Sequence, residues 1–461
     1  MADWLDRSLS EIGAGLRDGS VTAAALFDEA EARHDRGERL MAYKLWDGDG
    51  ARRMAAAADA AFAVGADLGP LQGLPVSIKD LYGVDNLPCF AGTPKRLPPA
   101  WERDGPLVAA LRRQLAVLTG KTHTVEFAFG GLGTNVHWGT PRNPWDPETH
   151  RTPGGSSSGA GVSLAEGGAV LAIGSDTAGS VRVPASMTGC VGLKTSAGRW
   201  STDGIVPLSP SLDTPGILAR SADDIATAFA ALDPQAYGNR PAERPIAGLR
   251  LGVPESDYWE DASPGVTEAV RQAMTELEKA GATLVTHDLP QTRDALDIFR
   301  QGGLAAADLL SFIRRELPDW LDTLDANVRA RVAAAEDMPV TEYLDRRARL
   351  HALARDAEAR LADIDALLTP TVPITPPALT EIESIEGYRR ANMLALRNTS
   401  PGNLLRLCAI TIPVGLDAAG MPVGMQLTLR HGADDAAVGI GLAAERCLGT
   451  AVQRLGRPRQ G

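Results

Sequence analysis

The chain has 461 residues, of which 44% are hydrophobic and 23% are charged, a composition typical of globular proteins. This length is sufficient for one large domain or for two to three domains of ordinary size. The formal net charge of −12 argues against a nucleic acid or an anionic membrane surface as a partner.

The cysteines and the N-terminus bear on the cellular location. The four cysteines are scattered and form no C-x-x-C pair, which favours buried reduced thiols over a disulfide framework or a zinc site. The first residues contain neither the basic nor the apolar region of a signal peptide, and no stretch is apolar enough to span a membrane. We therefore expect a cytoplasmic protein.

The N-terminal part, residues 1–66, is predicted to be helical. Ser8 precedes Glu11 at the spacing of a capping box, and the helix that begins there should end near Gly19. Two Ala-rich segments follow within this part, and both contain good helix formers throughout.

The pattern changes in the next part, residues 67–235. Short β-prone runs at 74–78, 169–174 and 190–193 alternate there with Gly/Pro/Ser loops and helix-like segments. This alternation predicts an α/β fold in which helices cover a sheet.

The remainder of the chain begins with a polar connection at residues 235–246. A strand-helix-strand pattern and a charged, mostly helical stretch follow, and β-prone runs then return before a last helix. We predict a single domain over residues 1–461, with residues 240–390 as a helical elaboration and residues 391–461 as the return to the sheet.

A Ser/Gly-rich loop, TPGGSSSGAG, occupies residues 152–161. A phosphate-binding loop is disfavoured because neither G-x-x-x-x-G-K-[ST] nor G-x-G-x-x-G is present. Ser157 formally matches the G-x-S-x-G nucleophile elbow, but that motif requires a preceding strand, which Pro153 and Gly154 disfavour. The third interpretation is a loop that caps a helix beginning near Gly159.

A second serine-bearing segment, GSDTAGSVRVPAS, spans residues 174–186 and follows a predicted strand. A loop here would direct four successive N–H groups to one point, as in an oxyanion hole: those of Thr177, Ala178, Gly179 and Ser180. Ser180 could attack a carbonyl held at that point, and an ordinary serine-containing turn is the alternative. No histidine lies within twenty-five positions of Ser180, so a nucleophile here needs another base.

Lys79 is the candidate for that base. It stands at the end of the predicted strand 74–78, in the segment GLPVSIKD. Most lysines at strand ends are solvated, but a lysine in a dry site has a lowered pKa and can accept a proton. Alternation along the strand would direct Asp80 to the opposite face.

These three segments together resemble the amidase signature family. The family's lysine pattern is matched by Gly73–Asp80, its serine loop by Pro153–Ser157, and its nucleophile segment by Asp176–Ala185. Further similar segments extend the resemblance over roughly residues 60–235 and 365–447. The resemblance implies a three-layer α/β/α sandwich with a mixed central β-sheet.

The resemblance also implies a role for each of the three residues. Ser180 would be the nucleophile, and Lys79 would be the base at the far end of a proton relay. Ser156 would bridge the two and precede a cis peptide bond to Ser157. This relay would replace the missing histidine by a different set of groups.

Other positions in these segments support the site or depart from the family. Asp176 and Arg182 match the family pattern, and we interpret Arg182 as part of a structural ion pair. Ala178 stands where the family usually has glycine, and the turn 406–409 reads RLCA where the family has a GLPA-like turn. These departures leave the substrate preference open.

The resemblance implies an amidase that hydrolyses the C–N bond of a small-molecule amide through a serine acyl-enzyme, with carbamates, urethanes and esters open to the same chemistry. It implies no metal and no cofactor, and we expect a monomer or homodimer. Two alternatives remain: an A-type subunit of a glutamine amidotransferase that supplies ammonia to a partner, and a non-catalytic binding protein with this fold. The helices within 292–360 are predicted to cover the active-site mouth and to set substrate size.

Overall fold

The computed structural model describes residues 3–255 and 257–458. Its strands, in chain order, are β1 (Tyr43–Trp46), β2 (Pro75–Lys79), β3 (Val117–Thr122), β4 (Leu171–Asp176), β5 (Val191–Lys194), β6 (Thr214–Ala219), β7 (Arg250–Val253), β8 (Thr283–Thr286), β9 (Ala366–Pro370), β10 (Cys408–Leu416) and β11 (Pro422–Leu429). They form one mixed sheet in the order β1-β3-β2-β4-β6-β5-β10-β11-β9-β7-β8.

Helices surround this sheet. In chain order they are α1 (Leu9–Asp18), α2 (Ala23–Gly37), α3 (Gly48–Ala63), α4 (Pro106–Arg113), α5 (Ala160–Glu166), α6 (Arg182–Thr188), α7 (Ala222–Leu232), α8 (Val266–Lys279), α9 (Gln291–Arg300), α10 (Ala305–Glu316), α11 (Ala326–Ala333), α12 (Val340–Arg360), α13 (Ile385–Arg397), α14 (Ser400–Leu404), α15 (Asp434–Leu448) and α16 (Ala451–Leu455). Within the described residues, no helix is both long enough and apolar enough to cross a membrane.

Strand alternation produces the three layers. In β4, Leu171 and Ile173 belong to the large apolar core that also contains Phe229 of α7 and Val438 of α15. Ala172, between them, instead packs in a separate cluster with residues of α5 and α6. Because neighbouring residues of a strand point to opposite faces, these two clusters lie on opposite sides of the sheet. The predicted α/β/α sandwich with a mixed sheet is confirmed.

The parallel strands β2 and β4 bring the candidate site together. They pair in register, with Val76 opposite Leu171 and Ile78 opposite Ile173. Lys79 ends the first strand and Asp176 ends the second. Parallel strands have their carboxyl ends at the same edge, where ligand sites form in open α/β sheets.

Several predicted elements are confirmed by local signals. Ser8 caps α1 in a capping box with Glu11, and the helix ends at Gly19, which has φ +77°. The Ser/Gly loop ends at Gly159, the N-cap of α5, as the helix-cap interpretation expected. Here the residue types at the helix ends were sufficient to fix the boundaries.

Two expectations about the chain's organisation are wrong in part. The N-terminal part is not wholly helical, because β1 forms an edge strand that pairs antiparallel with β3. Four residues are too short to show a period, and β1 is stabilised by a partner about eighty positions later in the chain. The segment 240–390 is likewise not only helical, since it contributes β7, β8 and β9 to the sheet. A short helix, α16, also follows the one expected to be last.

Candidate active site

Lys79 lies in a dry, polar pocket at the end of β2. The side chain is fully buried, and its Nζ atom donates to Ser156 Oγ at 2.7 Å and to Ser175 Oγ at 3.0 Å. Burial lowers the pKa of Lys79 to about 7, although the negative charges of Asp176 and Asp213 act in the opposite direction. A large fraction of this lysine is therefore neutral near pH 7, as expected from the sequence.

Asp80, the next residue, takes no part in this pocket. Its carboxylate forms an ion pair with Lys121 Nζ at 3.0 Å, and both side chains are buried. The alternation of β2 thus separates the two neighbouring charges, as predicted. Among the residues that the structure describes, Lys79 has hydroxyl partners and no carboxylate in direct contact.

The serine loop places Ser156 beside Lys79, and its backbone differs from the expectation. The cis peptide bond joins Gly155 to Ser156, whereas the sequence interpretation placed it between Ser156 and Ser157. Packing explains why residue 155, which precedes this bond, is a glycine: a Cβ built on Gly155 would lie 2.6 Å from the nitrogen of Gly133. The Ser157 N–H donates to the carbonyl of Ser180 at 3.2 Å.

Ser180 stands in the loop between β4 and α6, next to the serine loop. It is 3% exposed, and its backbone carbonyl is held by the Ser157 N–H bond. Among the described residues, no hydrogen bond joins the hydroxyls of Ser156 and Ser180, so the contact between the two loops is made through the backbone. Catalytic hydrogen bonds are often long before a substrate is bound.

The predicted group of four N–H donors is reduced by one. The N–H of Gly179 donates to Asp176 Oδ1 at 2.8 Å, so it is not free for a substrate oxygen. A Cβ on Gly179 would lie 2.1 Å from Thr399 Oγ1, and this same hydroxyl donates to the carbonyl of Ala178 at 2.7 Å. The backbone therefore passes very close to Thr399, which explains the glycine at this position.

Asp176 and Arg182 form the ion pair that the sequence predicted, and both side chains are fully buried. Arg182 donates from Nη2 to Asp176 Oδ1 at 3.0 Å and from Nε to Oδ2 at 3.1 Å. The same guanidinium also donates to Asn403 Oδ1 at 2.7 Å and to Gln426 Oε1 at 3.2 Å. Burial acts to raise the pKa of Asp176, but the charge and hydrogen bonds of Arg182, together with the charge of Lys194 and the Val181 N–H bond, outweigh burial and hold the pKa well below its usual value.

The structure adds two residues that the sequence interpretation missed. Ser175 is the second acceptor for Lys79, and Asp213 accepts from Thr177 Oγ1 at 2.5 Å. Burial raises the pKa of Asp213 to about 7. Asp213 lies in the family-like segment 207–221, so the resemblance marked the segment but gave this carboxyl no role.

A cavity of about 180 Å³ adjoins this arrangement. Ser175, Thr177 and Asp213 form part of its wall, and Trp101 and Ala128 are among its apolar residues. The cavity thus reaches Thr177, in the loop of candidate oxyanion donors, and Ser175, the second hydrogen-bond partner of Lys79. In the described parts of the chain, no cluster of three or more His, Cys, Asp or Glu side chains is arranged to hold a metal ion.

Comparisons with known proteins identify the family of the chain. The model of the family described as Amidase matches residues 25–438. The 2-amino-5-chloromuconic acid deaminase of Comamonas testosteroni is 54% identical, with 98% of each chain covered. The A-type subunit of the glutamyl-tRNA(Gln) amidotransferase of Salinispora arenicola is 33% identical over 97% of this chain and 99% of that protein. A crystal structure of an amidase superposes with a TM-score of 0.86 at 32% identity, covering 96% of this chain and 100% of the other.

The buried ion pair predicts a large loss of stability on substitution of Arg182. Arg182→Met leaves the Asp176 carboxylate buried without its cation, which should reduce the free energy of unfolding by about 3–5 kcal/mol. Arg300→Met is the matched control, because Arg300 pairs with Asp297 at 2.9 Å where both side chains are about half exposed. Arg300→Met should reduce the free energy of unfolding by at most about 1 kcal/mol. Urea unfolding of both variants measures the difference, and equal shifts of the midpoint would contradict a stabilising role for the buried pair.

Proposed function

The chain belongs to the amidase family, and from that premise we propose that it hydrolyses the C–N bond of a small molecule with Ser180 as nucleophile, Ser156 as bridge and Lys79 as base. The observation that carries this proposal is the 2.7 Å contact between Lys79 Nζ and Ser156 Oγ in a fully buried pocket beside Ser180. Membership of the family makes the chain an amidohydrolase. The assignment of the three residues is our inference.

The proposed reaction begins with attack of Ser180 Oγ on the substrate carbonyl. Its proton passes to Ser156, and the Ser156 proton passes to neutral Lys79. The N–H groups of Thr177, Ala178 and Ser180 stabilise the negative oxygen that develops on the former carbonyl. The relay then returns a proton to the leaving amine, and water hydrolyses the acyl-enzyme to release the acid.

Ser175 supports this relay as a positioning residue. A neutral amine has two N–H bonds and one lone pair, and a hydrogen bond to Ser175 Oγ occupies one N–H. With that bond in place, the lone pair is free to turn toward Ser156. The bond therefore favours the orientation of Lys79 that accepts a proton.

A specific observation favours one substrate class. The relative that is 54% identical over nearly the whole chain is described as a 2-amino-5-chloromuconic acid deaminase. We therefore propose that this chain acts on a small unsaturated 2-amino acid of the muconic type. In its imine form such a molecule has a C=N carbon in place of the amide carbonyl, so this substrate gives no acyl-enzyme. Ser180 Oγ would add to that carbon while the relay protonates the nitrogen, ammonia would then leave, and water would add to the same carbon and displace Ser180. The net reaction consumes one water, releases one ammonia and leaves a 2-oxo acid.

The amidotransferase alternative is less favoured. The relatives described as A-type subunits of glutamyl-tRNA(Gln) amidotransferases are 31–33% identical, well below the 54% of the deaminase. An A-type subunit would also need a partner to receive its ammonia, and the chain's net charge of −12 disfavours direct contact with tRNA.

The first prediction concerns the nucleophile. A fluorophosphonate probe should label Ser180, and Ser180→Ala should abolish labelling and lower kcat by several orders of magnitude. Ser157→Ala is the control, since Ser157 is the only other residue that the motifs allowed as nucleophile, and it should retain labelling. Peptide mass spectrometry locates the adduct, and an adduct on Ser157 would overturn the assignment.

The second prediction concerns the base. Only neutral Lys79 accepts a proton, so kcat/KM should rise as the pH increases through about 7 and reach a plateau above it. Lys79→Arg should be nearly inactive at every pH of the profile, because a guanidinium stays protonated. Near-wild-type turnover by Lys79→Arg would show that Ser180 uses another base.

Asp213 is the necessary control for this profile, because its pKa is also about 7. In Asp213→Asn the rise of kcat/KM should remain. It should move to lower pH, because the variant removes a negative charge that raises the pKa of Lys79. If kcat/KM of Asp213→Asn no longer depended on pH, the ionisation near pH 7 would belong to the Asp213 carboxyl and not to Lys79.

The third prediction concerns the substrate. The purified single chain should release ammonia from 2-aminomuconic acids faster than from aryl amides, aliphatic amides, carbamates or glutamine. A coupled ammonia assay measures this panel, with Ser180→Ala as the blank. Glutamine hydrolysis that requires an added partner would instead support the amidotransferase alternative.

A further inference from the structure

A chain of hydrogen bonds links the helices of segment 240–390 to the loop that carries Ser180. On α12 the hydroxyl of Tyr343 donates to Asp308 Oδ1 at 2.7 Å. Asp308 lies on α10, and its second oxygen accepts from Ser209 Oγ at 2.5 Å. One carboxylate thus joins two helices to the turn 207–213.

The chain continues from this turn to the candidate oxyanion loop. The backbone N–H of Ser209 donates to Asp213 Oδ2 at 3.0 Å. The other oxygen, Oδ1, accepts from Thr177 Oγ1 at 2.5 Å. Thr177 is the first of the residues whose N–H groups face the expected position of the substrate oxygen. Four hydrogen bonds therefore separate α12 from the reacting groups.

We propose that Asp308 and Tyr343 are positioning residues for catalysis, acting through Ser209 and Asp213 to hold Thr177 in its reactive orientation. This inference rests on the proposed function of Ser180. It adds a second task to the predicted one of covering the active-site mouth and setting substrate size: the helical segment would also set the rate of attack by the nucleophile.

Aromatic packing next to Asp308 holds α10 in the position that these hydrogen bonds require. Phe312, one turn further along α10, packs edge to face against Trp101 and Phe127, with ring centroids 5.3 Å and 6.2 Å away. These aromatic contacts seat α10 on the loops that surround the cavity, and Trp101 itself lines the cavity. Burial raises the pKa of Asp308, and the hydrogen bonds from the Ser209 and Tyr343 hydroxyls act in the opposite direction by stabilising the carboxylate. A buried carboxyl group is costly without such donors.

The link joins segments that are far apart in the chain, so it is sensitive to the docking of the whole helical segment. Ser209 is fully buried, and its hydroxyl has Asp308 as its partner. If α10 shifts, Ser209 loses that partner and the turn that binds Asp213 can relax. Backbone donors contribute to an oxyanion hole only when they are held in place beforehand.

Three variants test the proposal in the full-length chain. Ser209→Ala removes the bond to Asp308 while keeping the backbone N–H that binds Asp213, and Tyr343→Phe removes the outer bond. Ser209→Thr restores a hydroxyl. The readouts are the rate at which a small fluorophosphonate labels Ser180, kcat and KM for the best substrate, and the melting temperature.

We expect Ser209→Ala to slow labelling and lower kcat by about 5- to 30-fold, with KM changed by less than twofold. Tyr343→Phe should have a smaller effect in the same direction, and the double variant should be no slower than Ser209→Ala because both act through Asp308. Ser209→Thr should recover most of the rate.

Tyr43→Phe is the matched control, because it removes a tyrosine hydrogen bond of similar length (2.9 Å to Thr119) in edge strand β1, outside the chain of bonds from Tyr343 to Thr177. It should lower the melting temperature and leave the labelling rate unchanged. Wild-type labelling rates in folded Ser209→Ala and Tyr343→Phe, with only the melting temperature reduced, would overturn the proposal. Failure of the wild-type chain to be labelled at Ser180 would instead count against the proposed function.

Discussion

The buried ion pair of Asp176 and Arg182 is the constraint on which the candidate site depends. The Asp176 carboxylate follows directly from the end of β4 and accepts bonds from the backbone of Gly179 and Val181 as well as from the guanidinium. The loop that contains Ser180 is therefore wrapped around one negative charge. Because charges are costly to bury unless they are paired and hydrogen-bonded, the conformation that satisfies both partners is strongly favoured over alternatives.

Lys79 has the opposite surroundings, and the role of base that we propose for it requires a buried amine that has no such partner. The strand ends just where the side chain enters a space lined by serine hydroxyls, and the nearest carboxylate in sequence, Asp80, is bound elsewhere by Lys121. Lys79, the last residue of β2, and Asp80, the residue after it, thus have very different electrostatic surroundings. The alternation that continues past the end of the strand separates the buried amine from the structural ion pair.

The sequence predicted the fold class and the three main site residues because the motif segments are dense and their residue types are unusual together. It could not predict Ser175 or Asp213 as partners, since a lone serine and a lone aspartate in a turn have many ordinary uses. Edge strand β1 was missed because its stability comes from pairing with β3 rather than from its own four residues. The close approach of Gly133 to Gly155, which leaves no room for a Cβ there, is a contact between separate segments that no local pattern contains.

The partners of Arg182 also determine when the site is completed during synthesis. Asp176 precedes the arginine by six residues, but Asn403 and Gln426 leave the ribosome more than two hundred residues later. Until those two amides arrive, the guanidinium has unfilled hydrogen-bonding capacity in what becomes the interior. Ribosomes add about 5–20 residues per second, so roughly ten seconds or more pass between the synthesis of Arg182 and that of these two partners. The hydrogen bonds that complete the Arg182 cluster can therefore form only near the end of translation, after nearly the whole sheet has emerged.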